Sequence, residues 1–204
     1  DNLAEDLPTP GATTMGKAVL VLDALDGSLL RSFETDRSVP ADVALVDADY
    51  DGYVDRAYAA DVGGNLYRLD FEQPTASGLR TDPDGWTMYK FAALGGTTSP
   101  VRKFFYPPDA VLSRGFTAVL AGSGDREKPL SLASNDRFFT LYDLRVAKGM
   151  PSPLPAVIGP GDLGDVDNGG ARAMGCYIAM ESASGEKVIN APTTVGGVTY
   201  FASH

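Results

Sequence analysis

Acidic residues recur at short intervals in the nine-residue stretch DADYDGYVD, residues 47–55. Counted from its first residue, aspartates stand at positions 1, 3, 5 and 9 and glycine at position 6: Asp47, Asp49, Asp51, Asp55 and Gly52. Calcium loops use this order, because Ca²⁺ takes six to eight oxygen ligands at about 2.3–2.6 Å and glycine permits the sharp bend. We therefore predict that the four aspartates bind one Ca²⁺.

Two further features define the predicted site. Position 7 of a calcium loop contributes a backbone carbonyl, which is Tyr53 here. An EF-hand would place a bidentate glutamate at position 12, but that position is Tyr58, inside a predicted strand. The loop is thus expected to join two strands, with Asp55 closing the coordination shell. Mg²⁺ fits less well, because it requires stricter octahedral geometry and retains its waters.

Charge explains why a cation is needed. Carboxylates within a few ångströms of one another repel, and some hold protons or move apart unless a cation is present. A second acidic stretch, GPGDLGDVDNGG, has irregular spacing, and we predict a flexible loop there instead of a second metal site; its aspartates are Asp162, Asp165 and Asp167.

Composition limits the classes of function. The chain has 204 residues, a net charge of −10 and no cluster of Lys or Arg, so an electrostatic interaction with nucleic acid is not expected. One Cys and one His exclude a disulfide framework and argue against zinc. No apolar run approaches the ~20 residues of a membrane span. The chain does not begin with Met, and we expect it to be a fragment or a processed piece.

The elements that position the loop follow a repeated hairpin pattern. Residues 17–34, 55–72 and 176–189 each read as a strand, a glycine-containing turn and a second strand. Short strands are predicted over residues 19–22, 57–60, 88–92, 117–121, 138–142, 177–180 and 198–201. Hairpins about 40 residues apart suggest blades of a β-propeller. We predict an all-β fold: a partial propeller of about four to five blades over residues 1–204, with a Pro/Gly-rich insertion at about 146–175. A generic β-sandwich is the alternative.

The run VDADYDGYVDRAYAADVGGNLYRLDF, residues 46–71, closely resembles the C-terminal β-propeller domain of the PilY-type proteins, the type IV pilus tip-associated adhesins and assembly factors. The segments VLVLDALDGSLLRSF, TAVLAGSGD and ASGEKVINAPTTVGGVTYFAS are similar to other parts of that family. The resemblance implies a modified, quinoprotein-like propeller and one Ca²⁺ bound by Asp47, Asp49, Asp51, the carbonyl of Tyr53, and Asp55.

For function, the resemblance implies a non-enzymatic part in pilus biogenesis. Ca²⁺ occupancy would tune pilus extension and retraction, and with them surface attachment and twitching motility. The implied partners are major or minor pilins and a host or abiotic surface. The implied location is outside the bacterial cell, on the cell surface, the pilus or the outer membrane.

Two alternatives remain open from the sequence. One is a quinone-dependent dehydrogenase, in which Ca²⁺ would polarise the quinone and Asp61 or Asp70 would act as base. The other is a calcium-dependent carbohydrate-binding module, in which the ion would bridge sugar hydroxyls.

Overall fold

The computed structural model of the chain describes residues 3–9 and 15–204. Within those ranges the regular structure consists of β-strands and three short 3-10 turns, at Leu3–Asp6, Pro83–Gly85 and Pro160–Asp162. No helix in the described part is long and apolar enough to cross a membrane. The strands are β1 (Ala18–Leu22), β2 (Leu29–Glu34), β3 (Ala44–Val46), β4 (Arg56–Ala60), β5 (Asn65–Asp70), β6 (Gln73–Thr75), β7 (Gly78–Arg80), β8 (Thr87–Ala93), β9 (Asp109–Ser113), β10 (Phe116–Gly122), β11 (Arg137–Asp143), β12 (Gly164–Asp165), β13 (Gly175–Ala179), β14 (Thr193–Val195) and β15 (Val198–Tyr200).

Five sheets result. The first large sheet has the strand order β3-β4-β5-β8, and all of its pairs are antiparallel. The second has the order β12-β13-β11-β10-β9, in which only β12 and β13 pair in parallel. Three two-stranded sheets are formed by β1-β2, β6-β7 and β14-β15. Antiparallel sheets of about four strands joined by short turns are the units of a propeller.

The main core lies between the two large sheets. Tyr58 and Leu66 from the first sheet and Phe139 and Leu141 from the second are fully buried in one cluster. On the other face of the first sheet, Phe33 of β2 packs in a second cluster. Because β4 and β5 have packing partners on both faces, every one of their residues is buried, and the usual alternation of buried and exposed positions is absent.

The predicted strands are all present, within one or two residues at their ends. The hairpins over residues 17–34 and 55–72 are also confirmed, as β1-β2 and β4-β5. In the second, Gly64 has φ 76°, and a Cβ there would lie 2.4 Å from the Cα of Gly95, so the turn requires glycine.

The third predicted hairpin is wrong. β13 pairs with β11 and β12, and after the turn at residues 181–185 the chain does not return along β13. Instead, Val188 donates its N–H to the carbonyl of Ser123 and forms a bridge with Ser203. A strand-turn-strand pattern fixes local conformation, whereas the partner of the second strand depends on distant segments.

The Pro/Gly-rich segment at 146–175 contains short regular elements and two buried apolar residues. Ile158 forms a parallel bridge with Ala92 of β8, and both Ile158 and Leu163 belong to the main core. The segment leaves the second sheet after β11, contacts the first sheet and returns as β12. It therefore connects the two large sheets.

Candidate metal centre

The acidic loop is the connection between β3 and β4, as predicted. The loop closes where the N–H of Asp55 donates to the carbonyl of Val46 at 2.9 Å. Within the loop, Tyr50 has φ 63° and Gly52 has φ 93°. Tyr50 is the one non-glycine residue with positive φ in the described ranges. Two left-handed residues allow the chain to turn back on itself within a few residues.

Three of the four predicted aspartates come together. Asp47, Asp49 and Asp55 each offer one carboxylate oxygen, and these oxygens all lie within 4.8 Å of one another. Asp51 is not part of this group. Its Oδ1 instead accepts a hydrogen bond of 2.8 Å from the N–H of Tyr53, a local turn contact. The ligand roles of Asp51 and of the Tyr53 carbonyl stay predictions.

Backbone amides of the loop hold the carboxylates in place. Gly52 N–H donates to Asp47 Oδ2 at 2.9 Å, and Ala48 N–H donates to Asp55 Oδ2. Asp55 is only 3% exposed, yet its Oδ1 accepts no hydrogen bond from any described residue. Buried polar atoms normally have a hydrogen-bond partner, so an unsatisfied carboxylate oxygen inside an acidic group fits a cation.

Two residues that the sequence analysis missed complete the group. Glu72 follows β5 and is buried beside Asp55, and Lys148 follows β11. The Lys148 ammonium lies 2.8 Å from Asp49 Oδ2, 2.8 Å from Glu72 Oε2 and 3.5 Å from Asp55 Oδ1. A lysine from the segment between β11 and β12 of the second sheet thus lies among carboxylates that belong to the first sheet and its loop.

The protonation of the group reflects both burial and charge. Burial opposes ionisation of Asp55, but hydrogen bonds with Glu72 and the Ala48 amide and the charge of Lys148 bring its pKa below the ordinary value. Burial raises the pKa of Glu72, and the neighbouring Asp55 adds to this against the effect of Lys148. Hydrogen bonds to Asp49 and Glu72 raise the pKa of Lys148, which stays charged. The charge of Lys148 thus favours the ionised form of both Asp55 and Glu72 by lowering the pKa of each.

The cation nearest in sequence has a different role. Arg56 directly follows Asp55, but its guanidinium is buried and donates to the carbonyls of Val146 and Ala147. The cation adjacent to Asp55 in sequence is therefore not the one that pairs with the acidic group. Glu72 had a weak local signal, since it lies two residues beyond the aspartate that ends β5. Lys148 had none, because only the tertiary fold brings it to the loop.

The two aspartates considered as catalytic bases have structural roles. Asp61 is fully buried and accepts hydrogen bonds from Gly63 N–H, from Asn65 and from the Tyr67 hydroxyl. Burial raises its pKa against these bonds. Asp70 pairs with Arg68 at 2.6 Å.

In the second acidic stretch, the carboxylates accept hydrogen bonds from their own turns. Asp162 accepts from Gly159 N–H at 2.8 Å, and Asp165 accepts from Asp167 N–H at 3.1 Å and Asn168 Nδ2 at 3.0 Å. These contacts account for Asp162 and Asp165 through turn formation, while Asp167 is exposed.

A largely apolar cleft of about 610 Å³ adjoins the acidic loop. Loop residues form one wall of it, and the side chains of β1 and of the segment around Trp86 form the others. Trp86 packs edge-on against Phe71 at 5.2 Å between ring centroids, with its indole N–H bonded to the carbonyl of Thr81. The acidic loop contributes Asp51, Tyr53 and Val54 to the lining of the cleft, and Glu72, which follows β5, also lines it.

Comparison with known proteins connects this architecture to one family. Residues 10–94 match the family model described as the PilY1 beta-propeller domain, and this range includes the whole acidic loop. The crystal structure of the Pseudomonas aeruginosa PilY1 C-terminal domain superposes with a TM-score of 0.74 over 95% of the chain, at 17% sequence identity. The resemblance to a PilY-type C-terminal domain is confirmed. The all-β fold of the propeller type is confirmed with it.

The match covers only part of the PilY1 structure. The chain spans about half, 51%, of the PilY1 structure that it matches. No curated protein sequence matches the chain.

Proposed function

We propose that this chain is a non-enzymatic, calcium-binding propeller of a type IV pilus protein. The observation that supports it best is the acidic group itself. Asp47, Asp49 and Asp55 converge within a hairpin loop of a blade-sized sheet, and the loop lies inside the residues that match the PilY1 propeller model.

The donor set has the chemistry that calcium prefers. All the converging side chains are carboxylates, and hard cations such as Ca²⁺ bind oxygen in flexible shells. The unsatisfied Oδ1 of buried Asp55 gives the site an inward-facing ligand atom. Ca²⁺ bound here would supply the positive charge that the carboxylates require, while Asp47, Asp49 and Asp55 would hold it.

The cleft beside the loop suggests how an ion could alter a contact surface. Asp51, Tyr53 and Val54 line the cleft and belong to the same loop as the converging carboxylates. A ligand shifts a conformational equilibrium only by its differential affinity for the two states. In this proposal, Ca²⁺ favours one loop conformation and therefore one shape of the cleft wall, which pilin partners would contact.

The biological role that we propose is the one implied by the resemblance to PilY-type proteins. We propose that the protein acts outside the cell, on the pilus or the cell surface, where Ca²⁺ occupancy tunes pilus extension and retraction, attachment and twitching motility. Major or minor pilins are the proposed partners. A host or abiotic surface is a further one. The structural roles of Asp61 and Asp70 support a binding function over the dehydrogenase alternative.

Calcium titration calorimetry tests the proposal. The parent chain should bind one Ca²⁺, and Asp49→Asn with Asp55→Asn should abolish binding. Asp167→Asn is the control, because it removes an exposed acidic charge from the other stretch and should leave the affinity unchanged. Equal binding by the parent and the double variant would refute the assignment. Loss of twitching in cells that carry the double variant would connect the ion to motility.

One observation favours a second candidate, the calcium-dependent carbohydrate-binding module. Tyr50 and Tyr53 belong to the acidic loop and are 79% and 77% exposed. Their rings combine an apolar face with a polar hydroxyl beside the candidate ion. Binding to a glycan array that disappears with chelator would support this candidate.

A further inference from the structure

Lys148 places a positive charge among the carboxylates of the acidic group. Its ammonium contacts the carboxylates of Asp49, Glu72 and Asp55, at 2.8, 2.8 and 3.5 Å. Two of these three residues, Asp49 and Asp55, are members of the converging acidic group. A bound Ca²⁺ would need the same oxygen atoms at about 2.3–2.6 Å. The ammonium therefore pairs with two of the three carboxylates that a bound ion would need.

The fold holds the Lys148 backbone in place on its N-terminal side. Arg56 donates to the carbonyls of Val146 and Ala147, and Arg68 donates to the carbonyl of Arg145 at 2.6 Å. Both guanidinium groups are buried. These charged hydrogen bonds attach the segment to the first sheet directly below the acidic loop.

The C-terminal side of Lys148 is equally constrained. Gly149 has φ 79°, and a Cβ on it would lie 2.6 Å from Pro74 Cδ and 3.0 Å from the carbonyl of Glu72. The next residue, Met150, donates its N–H to Gln73 Oε1 at 3.3 Å. The lysine side chain is 31% exposed, so it can move into solvent while its backbone stays fixed.

Glu72 supplies the kind of ligand that the loop lacks. The loop has no acidic residue at the twelfth position, where Tyr58 is part of β4. Glu72 lies after the neighbouring strand β5 and is buried beside Asp55. Its Oε2 pairs with the Lys148 ammonium at 2.8 Å, as the Asp49 and Asp55 oxygens do at 2.8 and 3.5 Å.

We propose that Lys148 is a tethered competitor of the metal ion, and that Ca²⁺ displaces its ammonium and takes Glu72 as an additional ligand. This inference rests on the proposed calcium site. Without the ion, Lys148 neutralises the carboxylates and joins the first sheet to the segment after β11. With the ion, the ammonium moves to solvent, and the ion pairs that connect the two parts through Lys148 are broken.

Competition predicts opposite effects of two substitutions. Lys148→Met removes the competitor, and the Kd for Ca²⁺ should fall about tenfold, the factor that corresponds to about 1.4 kcal/mol. Glu72→Gln removes a ligand, and the Kd should rise about tenfold or more. Lys90→Met is the matched control, because Lys90 pairs with Asp36 and is 30% exposed but lies away from the loop. Its Kd should equal that of the parent.

Amine labelling gives a readout that does not depend on the variants. Reaction of the parent with an acylating reagent, followed by mass spectrometry, should modify Lys148 faster when Ca²⁺ is present, whereas Lys90 should not respond. Thermal melting adds a sign test: Lys148→Met should melt below the parent in chelator and gain more than the parent from Ca²⁺.

The outcomes separate the two proposals. Parent binding with an unchanged or raised Kd in Lys148→Met refutes the competition and leaves the calcium site intact. Calcium binding by Lys148→Met alone supports the competition in its strongest form. If neither protein binds Ca²⁺, the proposed site fails and the competition fails with it.

Discussion

Asp55 and Arg56 are adjacent in the chain at the edge of the first sheet, but their side chains contact different segments. Asp55 points into the acidic loop, where its Oδ2 accepts the N–H of Ala48. Arg56 points into the protein and donates to carbonyls of the segment that carries Lys148. One pair of residues therefore supports both the proposed metal site and the segment that carries Lys148.

The structure predicts unequal roles for two aspartates of the loop. Asp55 converges with other carboxylates and is buried, whereas Asp51 is exposed and bonds within its own turn. Asp55→Asn should therefore abolish Ca²⁺ binding, and Asp51→Asn should weaken it less. Asp55→Asn should also lower the free energy of unfolding without metal by about 1–3 kcal/mol, the cost of a lost hydrogen bond to a charged group. Calorimetry and urea unfolding measure the two effects, and equal losses of affinity in both variants would contradict the ranking.

Arg68 should contribute far more to stability than its counterpart in the first hairpin. It is fully buried and pairs with Asp70 at 2.6 Å and Asp143 at 2.7 Å. Arg68→Met leaves the buried Asp70 carboxylate without its side-chain donor and removes one donor of Asp143, which keeps the Tyr58 hydroxyl, and should cost about 3–5 kcal/mol in urea unfolding. The control is Arg31→Met, because Arg31 holds the corresponding place in the β1-β2 hairpin but is 39% exposed. Its change should stay below about 1 kcal/mol, and similar costs for the two would disprove the burial argument.

A glycine substitution tests whether the backbone near Lys148 is held as described. Gly149→Ala places a Cβ against Pro74 and adds the strain of a left-handed residue, whereas Gly27→Ala adds only the strain, with φ 75° and open space around it. Gly27→Ala should cost about 1–2 kcal/mol. Gly149→Ala should cost more and should also tighten Ca²⁺ binding, since a displaced segment withdraws the ammonium. Identical unfolding curves for the two variants would contradict the close approach.

Acid should reveal the pairing of Asp6. Burial opposes ionisation of Asp6, but its bonds to Lys103 and Lys128 outweigh this and hold its pKa below the ordinary 3.8. A lowered pKa means that the folded state gains stability from the ionised form above pH 3.8, and that this gain is lost as the pH falls through the folded pKa. Asp6→Asn should therefore destabilise the protein by about 1–3 kcal/mol at pH 7. Urea unfolding at several pH values should show the difference from the parent shrinking below pH 3.8; a constant difference would exclude the pairing.

Much of this structure follows from local sequence. The alternating aspartates with Gly52 predicted a tight acidic loop between strands, and the glycine turns predicted the first two hairpins. These features depend on residues a few positions apart, where backbone preference and turn chemistry decide. The convergence of Asp47, Asp49 and Asp55 could be predicted from the sequence for the same reason.

The remainder depends on contacts between distant segments. Asp51 faces its own turn, although its spacing suggested an inward position. Glu72 reaches the loop because β5 pairs with β4, and Lys148 reaches it because two buried arginines bind its segment. The hairpin predicted over residues 176–189 does not form, because β13 pairs with β11 instead of with the chain that follows its own turn. No local spacing encodes such partners.

Asp143 lies at the end of the second sheet, yet its carboxylate accepts the Tyr58 hydroxyl at 2.6 Å and Arg68 at 2.7 Å, both from the first sheet. If the two sheets separated, the Asp143 carboxylate would lose both of these hydrogen-bond donors. The amide protons of β4, β5 and β11 should consequently exchange with deuterium at one common rate, as a single opening unit. Force applied to one of the two large sheets would therefore pass to the other through these contacts before either sheet unfolds.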